Sequence, residues 1–351
     1  MTTNPRFIAI CIGCFLFSAF MTYTVRNAHH SGHWLPPSRH SRRPGQHVLV
    51  PPKVAYATFL EAMPDEKDDT PILNDGPYQS TRLLAYQILH SRTMTNRTSD
   101  TSAPIPFLVL CTRSLSKAKR TQLKEDGATV LLVEPLPKHA MQPNVEPGRE
   151  QLAMLRLFQL EQYTKILYLS PSTLVIKSLE GIFYDEATLM QTTGANPKEV
   201  YADQEAELPR TYMLGAHSST GSYAHDYPPN YSENSQKFES TFLIFTPGKA
   251  MFEYCLSLVK RVNGGNVMPL QDLLNHGFRR GGNMPWRPLW SGWNVDWPTA
   301  EDWRGGAHSF SARFWDKSDR THDPLLMGIW KEQMAEMEGY YHGREEGRAE
   351  H

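Results

Sequence analysis

The sequence predicts an α/β fold with a mostly parallel sheet, because short apolar runs alternate with longer segments that carry a helical apolar stripe. Four runs have the length of a buried strand, namely residues 54–60, 106–111, 129–133 and 165–169. Strands that are joined through helices pair in parallel by right-handed crossovers. In such sheets, functional sites lie beyond the carboxyl ends of the strands.

Three helices are predicted between these strands. The second is expected to have Ser116 as its N-cap, to run to Glu125 and to be terminated by Gly127. The other two are indicated by their apolar residues, which are Leu83, Leu84, Tyr86, Ile88 and Leu89 in the first and Leu152, Leu155, Leu157, Phe158 and Leu160 in the third.

Composition excludes several classes of protein. The 351 residues include Lys+Arg 36 and Asp+Glu 37, so a formal charge of −1 gives no overall basic field for binding nucleic acid. Hydrophobic residues make up 40% of the chain, which excludes disorder throughout. Four cysteines are too few for a disulfide-stapled mini-protein or a Cys-rich zinc module. Cys111 and Cys255 are expected to serve apolar packing, and a disulfide between them stays open.

Segments of different composition divide the chain into four parts. Residues 1–25 are expected to form a short tail and a transmembrane signal anchor, because residues 7–25 carry no charge and would span about 28 Å as a helix. A cleaved signal peptide is the alternative. Residues 26–53 form a Pro/Ser/Arg-rich stem, residues 54–338 the globular domain, and residues 339–351 a flexible tail.

Two kinds of signal bear on the orientation of this anchor. Counted alone, the arginines after residue 25 place the C-terminal side in the cytosol. Two glycosylation sequons, at Asn96 and Asn230, are usable only if the globular domain is lumenal. Unmodified surface asparagines are the alternative interpretation of both sequons.

An ordered series of short strings runs through the globular domain. The strand at 165–169 continues into Ser170-Pro171-Ser172-Thr173-Leu174-Val175. The other strings are Leu155-Arg156-Leu157-Phe158, Phe238-Glu239-Ser240-Thr241, Gln271-Asp272-Leu273-Leu274-Asn275 and Trp293-Asn294. From about Tyr56 to residues 290–316, this series resembles the core of the family 8 glycosyltransferases, the glycogenin-like group.

The resemblance implies a Rossmann-like GT-A nucleotide-diphospho-sugar transferase fold and a hexosyltransferase activity of EC class 2.4. The donor would be a nucleotide-sugar, UDP-hexose first, and the acceptor a glycan, a protein or a small secreted metabolite. Asp272 would be catalytic, and the donor-binding residues would be Thr58, Arg156, Ser170, Ser172, Ser240 and Arg313. The layout of anchor, stem and domain is that of many Golgi glycosyltransferases, which implies a single-pass type II membrane protein with a lumenal domain.

The sequence departs from the family where the family binds metal. Ser170 and Ser172 stand where the family has an Asp-x-Asp pair, and neutral hydroxyls are poorer ligands for Mn²⁺ or Mg²⁺ than carboxylates. Met154 replaces a donor-binding Lys and Leu270 replaces an Asp that faces the transferred sugar. His308 stands near the position of the family's third metal ligand, and a histidine without a metal role is the alternative. Participation of Mn²⁺ therefore stays open.

Other residues offer chemistry without a metal. The guanidinium of Arg313 can hold a diphosphate with two donors. Asp272 and Glu239 are the remaining acidic candidates for orienting an acceptor hydroxyl. A Trp-rich stretch can supply stacking platforms or simply pack, and it contains Trp286, Trp290, Trp293, Trp297 and Trp303.

Two functional hypotheses follow. The first is a membrane-anchored glycosyltransferase whose donor site has lost the usual metal motif. The second is a catalytically inactive protein that keeps the fold and acts as a binding or scaffolding partner, as the changes at Met154, Ser170, Ser172 and Leu270 suggest.

Overall fold

The computed structural model describes residues 53–64, 66–67, 75–91, 104–136, 150–195, 206–218, 221–230, 236–260, 269–316 and 322–349. They belong to a unit that spans residues 51–351. The predicted anchor, residues 26–52 of the predicted stem and Asn96 lie outside the described residues. Within the described ranges, no helix combines the length and the apolar character needed to cross a membrane.

The elements alternate along the first half of the chain as the sequence predicts. The strands are β1 (Val54–Phe59), β2 (Phe107–Cys111), β3 (Thr129–Leu132), β4 (Lys165–Leu169), β5 (Thr173–Val175), β6 (Gln191–Thr192), β7 (Thr211–Tyr212), β8 (Leu214–Ala216), β9 (Phe242–Phe245), β10 (Arg287–Pro288), β11 (Val295–Asp296) and β12 (Ser309–Ser311). The α-helices are α1 (Gly76–Leu89), α2 (Lys117–Glu125), α3 (Lys249–Lys260), α4 (Leu270–Gly277), α5 (Ala300–Gly305) and α6 (Pro324–Ala349). Short 3₁₀ helices cover Gln151–Gln159, Glu180–Tyr184 and Glu186–Thr188.

A seven-stranded sheet forms the centre of the molecule, in the order β10-β8-β9-β4-β1-β2-β3. Strands β4, β1, β2 and β3 are parallel, with Ala57 of β1 opposite both Leu108 and Tyr168. Strand β9 is antiparallel to β4 and β8. The predicted α/β fold with a mostly parallel sheet is confirmed.

The central strands are largely apolar because both faces of the sheet are covered. On one face the core includes Ala57, Phe158 and Phe245. On the other it includes Tyr56, Tyr78 and Ile244. Continuous apolar runs, rather than alternating ones, are what a doubly covered sheet requires.

A second sheet of three strands lies in the order β11-β12-β5. Strand β12 is antiparallel to β5, with Ser311 opposite Thr173 and Ser309 opposite Val175. It is parallel to β11, with Ser311 opposite Asp296. This sheet brings the chain after residue 311 beside the chain that follows β4.

Helix α2 has the predicted ends, and the third predicted helix differs. Ser116 caps α2 by accepting a hydrogen bond from the N–H of Lys119, and Gly127 follows it with φ 102°, a left-handed value that glycine tolerates. Gln151–Gln159 is a 3₁₀ helix rather than an α-helix. Residues 152–155 are all buried in succession, so packing on several sides, not one apolar stripe, determines its shape.

Both described cysteines are free thiols. Cys111 lies in β2 and Cys255 in α3, and both are fully buried, so the predicted packing role is confirmed. Burial raises the pKa of Cys111 to about 11 and that of Cys255 to about 12. Both sulfurs therefore stay protonated and unreactive at neutral pH.

The flexible tail predicted from Gly339 is wrong as far as Ala349, because α6 continues to that residue. Tyr341 is 6% exposed and its hydroxyl lies 3.3 Å from the carbonyl oxygen of Asp126. Arg82 stacks on the Tyr341 ring at 5.1 Å and makes a two-pronged ion pair with the Asp126 carboxylate. The glycines and charges of this segment are typical of a flexible tail. The packing of Tyr341 leaves no local pattern in the sequence, because Arg82 and Asp126 lie more than 200 residues away.

We expect Tyr341→Ala to lower the free energy of unfolding by about 3 kcal/mol, because it empties a buried aromatic site between α1, α2 and α6. Tyr184→Ala is the matched control, since Tyr184 is 81% exposed, and it should change stability by less than about 0.5 kcal/mol. Urea unfolding measures both. Equal effects of the two substitutions would contradict the docking of α6.

Candidate functional site

A cleft of about 570 Å³ opens at the carboxyl ends of β1 and β4, where the sequence predicts a site. Its walls come from the chain after β1, the turn after β4, the turn before β9 and the segment after β12. The lining residues are Phe59, Leu60, Glu61, Ala62, Met63, Pro64, Pro77, Gln151, Tyr168, Ser170, Pro171, Ser172, Ser240, Thr241, Leu270, Arg313, Trp315 and Asp316.

Two serine hydroxyls form the part of the cleft that follows β4. Ser170 and Ser172 place their Oγ atoms 2.5 Å apart, so one donates a hydrogen bond to the other. The N–H of Ser170 donates to the carbonyl of Thr241 at 2.8 Å, which ties this turn to the start of β9. The turn therefore presents neutral, mutually hydrogen-bonded hydroxyls to the cleft.

This arrangement does not fit a resident Mn²⁺ or Mg²⁺. Those ions prefer carboxylate oxygens, whereas Ser170 and Ser172 offer weakly coordinating hydroxyls. Among the described residues, no group of three or more His, Cys, Asp or Glu side chains could hold a metal ion. Arg313 is the one cationic side chain among the described residues that line this cleft.

Arg313 reaches the cleft because β12 pairs with β5. The N–H of Ala312 donates to the carbonyl of Ser172 at 3.0 Å, which places Arg313 next to the serine turn. Arg313 is exposed, so its charge is available to a ligand. Trp315 lies against Gly76, where a Cβ atom would clash with the indole ring, so only glycine at the start of α1 allows this approach.

The wall formed by residues 61–64 is held by a buried ammonium group. Lys119 donates to Glu66 at 2.7 Å and to Asp75 at 2.5 Å, and its side chain is 1% exposed. Glu66 also accepts from the N–H groups of Met63 and Ser116 at 2.9 and 2.7 Å. The cleft wall is thus pinned to the starts of both α1 and α2.

Beyond this wall the cleft adjoins an acidic hollow of about 410 Å³, which Glu61, Glu66 and Glu150 line. Partial burial, and then the charge of Glu150, raise the pKa of Glu61. Glu61, which lines both cavities, therefore brings a carboxyl with a raised pKa to the end of the cleft that adjoins this hollow.

Four of the predicted site residues line the cleft, and these are Ser170, Ser172, Ser240 and Arg313. Ser170 directly follows β4 and Ser172 directly precedes β5, whereas Ser240 lies two residues before β9 and Arg313 two residues after β12. The N–H of Ser240 donates to the side chain of Gln271 at 2.7 Å, which fixes this serine relative to α4.

Thr58 and Arg156, also predicted to bind the donor, do not line the cleft. Thr58 lies within β1 and is fully buried, and its hydroxyl has no hydrogen-bond partner in the described part of the chain. Arg156 donates to the carbonyl of Glu134 at 2.6 Å and to Gln159 at 3.0 Å. It braces the chain after β3, while Gln151 from the same 3₁₀ helix lines the cleft instead.

Asp272 and His308 also lie outside the cleft lining. Asp272 is half-exposed and lies 3.8 Å from Lys237, whereas its neighbour Gln271 faces residues 238–240. His308 precedes β12, at the end remote from Arg313, where Nδ1 donates to the carbonyl of Ser178 at 2.7 Å. Burial lowers the pKa of His308, and the ring packs on Trp293 at 4.7 Å. In the structure, His308 is thus a packed, hydrogen-bonded histidine, which was the alternative to a metal ligand.

Asn230, the second predicted glycosylation site, is exposed, and the Ser232 of its sequon lies outside the described residues.

A buried polar network behind the cleft was only partly indicated by the sequence. Asn294 donates to Nε2 of His217 at 2.9 Å and accepts from the Ser309 hydroxyl at 2.8 Å. Burial lowers the pKa of His217, so the ring is neutral at pH 7. Burial, and then the charge of Asp296, raise the pKa of Glu239. Glu239 precedes the cleft residue Ser240 and is the acidic candidate that lies nearest the cleft in sequence.

Comparisons with known proteins give remote relatives. No protein-family model matches the chain. Two Schizosaccharomyces pombe proteins are each 22% identical to it: "Uncharacterized protein C5H10.12c" over 83% of this chain and 81% of its own, and "Uncharacterized protein C4C3.09" over 76% of each.

Solved structures with a weak likeness are glycosyltransferases. The galactosyltransferase LgtC, in complex with donor and acceptor sugar analogues, covers 80% of this chain and 95% of its own, at 16% identity and TM-score 0.47. GlyE of Streptococcus pneumoniae covers 84% of this chain and 65% of its own, at 11% identity and TM-score 0.46. Mouse xyloside xylosyltransferase 1 covers 74% of this chain and 97% of its own, at 10% identity and TM-score 0.41.

We expect Lys119→Met to lower the free energy of unfolding by about 3–5 kcal/mol, because it leaves two buried carboxylates without their cation. Lys124→Met on the same helix is exposed and should cost less than about 0.5 kcal/mol. Denaturant unfolding at pH 7 compares them. A Lys119→Met protein as stable as the control would show that the ion cluster does not hold the wall.

The pH dependence of stability should report the same cluster. Burial raises the pKa of the Glu66 carboxyl, but hydrogen bonds from Lys119 and from backbone N–H groups outweigh burial. The pKa of Glu66 is therefore lowered from its ordinary value of 4.5. The stabilisation is therefore complete above pH 4.5 and is lost as the pH falls through the lower folded-state pKa. We expect Glu66→Gln to lose less stability than the parent on acidification below pH 4.5. Exposed Glu338→Gln should follow the parent, and identical curves for all three proteins would refute this role.

Proposed function

We propose that the cleft binds a nucleotide-sugar and that the protein transfers the glycosyl unit to an acceptor. The observation that carries this proposal is the convergence of one guanidinium, Arg313, and three serine hydroxyls at the carboxyl edge of a mostly parallel sheet. The ordered motif series in the sequence supports the same chemistry.

The departing nucleoside diphosphate concentrates negative charge, which has to be stabilised as the bond to the sugar breaks. Arg313 can donate two parallel hydrogen bonds to phosphate oxygens. The hydroxyls of Ser170, Ser172 and Ser240 add neutral donors beside it. Because these donors do not suit a divalent cation, the charge of the leaving group is assigned to Arg313.

The donor is a UDP-hexose in this proposal, and the reaction is a hexosyl transfer of EC class 2.4. Glu239 replaces Asp272 as the carboxylate for the acceptor hydroxyl, because it adjoins Ser240 in the cleft lining and burial raises its pKa. A carboxylate with a raised pKa is a better proton acceptor near neutral pH than an ordinary one.

The location of the protein is proposed from sequence alone. The uncharged residues 7–25 and the stem that follows suit a single-pass type II membrane protein of the Golgi or another secretory-pathway membrane, with the globular domain lumenal. Exposure of Asn230 is compatible with a lumenal domain.

A scaffolding protein without catalysis is the second candidate. The specific observation in its favour is the hydrogen-bonded pair Ser170–Ser172 at the position where the family has metal-binding carboxylates. Such a protein would keep the cleft's shape without turning over a donor.

We expect UDP to stabilise the protein, because a ligand that binds only the native state raises the free energy of unfolding by about 2.7 kcal/mol at 100 times its Kd. The shift should persist in EDTA. Arg313→Ala should weaken UDP binding about 10- to 100-fold, as loss of charge-assisted hydrogen bonds predicts. Thermal unfolding titrated with UDP measures this.

Arg304→Ala is the matched control, since Arg304 is an exposed arginine of α5 that does not line the cleft. It should leave UDP binding unchanged. Absence of any UDP shift would contradict the proposed donor site. UDP binding without release of UDP from UDP-glucose or UDP-galactose, in the presence of acceptors, would favour the scaffold.

A further inference from the structure

A partly buried aromatic ring forms part of the cleft wall. Among the described residues that line the cleft, three carry aromatic rings, namely Phe59, Tyr168 and Trp315. Phe59 and Tyr168 are 5% and 7% exposed and belong to the core on one face of the sheet. Trp315 is only partly buried. Its indole is therefore the aromatic surface that a ligand in the cleft can cover.

The turn after β12 holds this indole next to Arg313. Phe314, which stands between the two cleft residues, is 3% exposed and packs in a core cluster that includes Leu83 of α1. The N–H of Asp316 donates to the carbonyl of Arg313 at 2.8 Å, which closes the turn. The buried Phe314 thus anchors a segment whose neighbouring side chains, a guanidinium and an indole, both line the cleft.

The start of α1 packs against the same indole. A Cβ atom at Gly76 would overlap Cγ and Cδ1 of Trp315 and would lie 2.8 Å from Nε1. The pyrrole part of the ring therefore lies directly against the backbone of α1, and the next residue, Pro77, lines the cleft. A ring that is held before a ligand arrives loses little conformational freedom on binding, so contact with it contributes more to affinity.

A nucleoside diphosphate presents two chemically different groups to such a pair of side chains. Its phosphates need a cation, and the guanidinium of Arg313 can donate two parallel hydrogen bonds to them. Its base is planar and has a π face, which stacks favourably on an exposed aromatic ring whatever the base. Arg313 and Trp315 are separated in the sequence by Phe314 alone, so one short turn offers both contacts.

We propose that Trp315 stacks on the base of the nucleotide whose diphosphate Arg313 binds. This inference rests on the proposed function, which supplies the nucleotide, and it holds whether or not the bound donor is turned over. It also orients the donor, because the base then lies toward the start of α1, where Gly76 packs on Trp315. A pyranose ring can also pack on an indole, so the test has to separate the base from the transferred sugar.

Isothermal titration calorimetry on the full chain makes this separation with three ligands, which are UDP, 5,6-dihydro-UDP and inorganic pyrophosphate. None of them carries a transferred sugar. Dihydro-UDP keeps the hydrogen-bonding groups of uracil, but its saturated ring is puckered and has lost the π face. We expect the parent protein to bind UDP about tenfold more tightly than dihydro-UDP, within the range that base stacking contributes.

Substitutions at Trp315 locate this preference. Trp315→Leu keeps apolar bulk but not the aromatic face, so it should weaken UDP binding about 10- to 100-fold, remove the preference over dihydro-UDP and leave pyrophosphate binding unchanged. Trp315→Phe should restore most of the preference. Arg313→Ala should weaken the binding of all three ligands. Trp303→Leu is the matched control, because it removes a 40% exposed indole of α5 outside the cleft lining, and it should behave as the parent.

Three results would overturn the proposal: equal binding of UDP and dihydro-UDP by the parent, unchanged UDP binding in Trp315→Leu, or an equal loss of UDP and pyrophosphate binding in that variant. The last result would mean that Trp315 only supports Arg313. Each of these leaves the donor site in place and removes the indole from it. Absence of UDP binding to the parent is the separate result that contradicts the proposed function, and this inference with it.

Discussion

The buried ammonium of Lys119 joins the parts of the molecule on which the cleft depends. It binds Glu66, which follows β1, and Asp75, the N-cap of α1. The N–H of Ser116, at the start of α2, donates a further hydrogen bond to the Glu66 carboxylate. A charge with 1% exposure is tolerated only because both carboxylates and several N–H groups satisfy the cluster. Without it, the chain after β1 would have no fixed path, and the wall of the cleft would have no fixed shape.

This rigidity matters because the cleft works with weak polar groups. Hydroxyls and one guanidinium contribute only when their geometry matches the ligand. The hydrogen bonds from Ser170 to Thr241 and from Ala312 to Ser172 therefore matter as much as the donor side chains themselves.

The fold was predictable because its central strands are apolar on both faces, so their runs stand out from any helix. The cleft was predictable in part for a related reason, since Ser170 and Arg313 follow strand ends and strand ends share one edge. Asp272 lies outside the cleft lining because one residue along a helix turns the side chain by about 100°, and Gln271 takes the inward position. His308 lies away from the cleft because the three residues of β12 separate it from Ala312. The docking of Tyr341 has no local signal in the sequence.

The docking of α6 has a consequence for the order in which the chain is made. Asp126 emerges from the ribosome 215 residues before Tyr341 does, and the face of α1 that receives Tyr341 emerges earlier still. At about 5–20 residues per second, that interval lasts roughly 10–40 s. During this time Arg82 and Asp126 can pair, but the surface around Tyr86 and His90 stays open to solvent. The domain therefore completes its packing only as its last helix is released, and the nascent chain carries an uncovered aromatic surface until then.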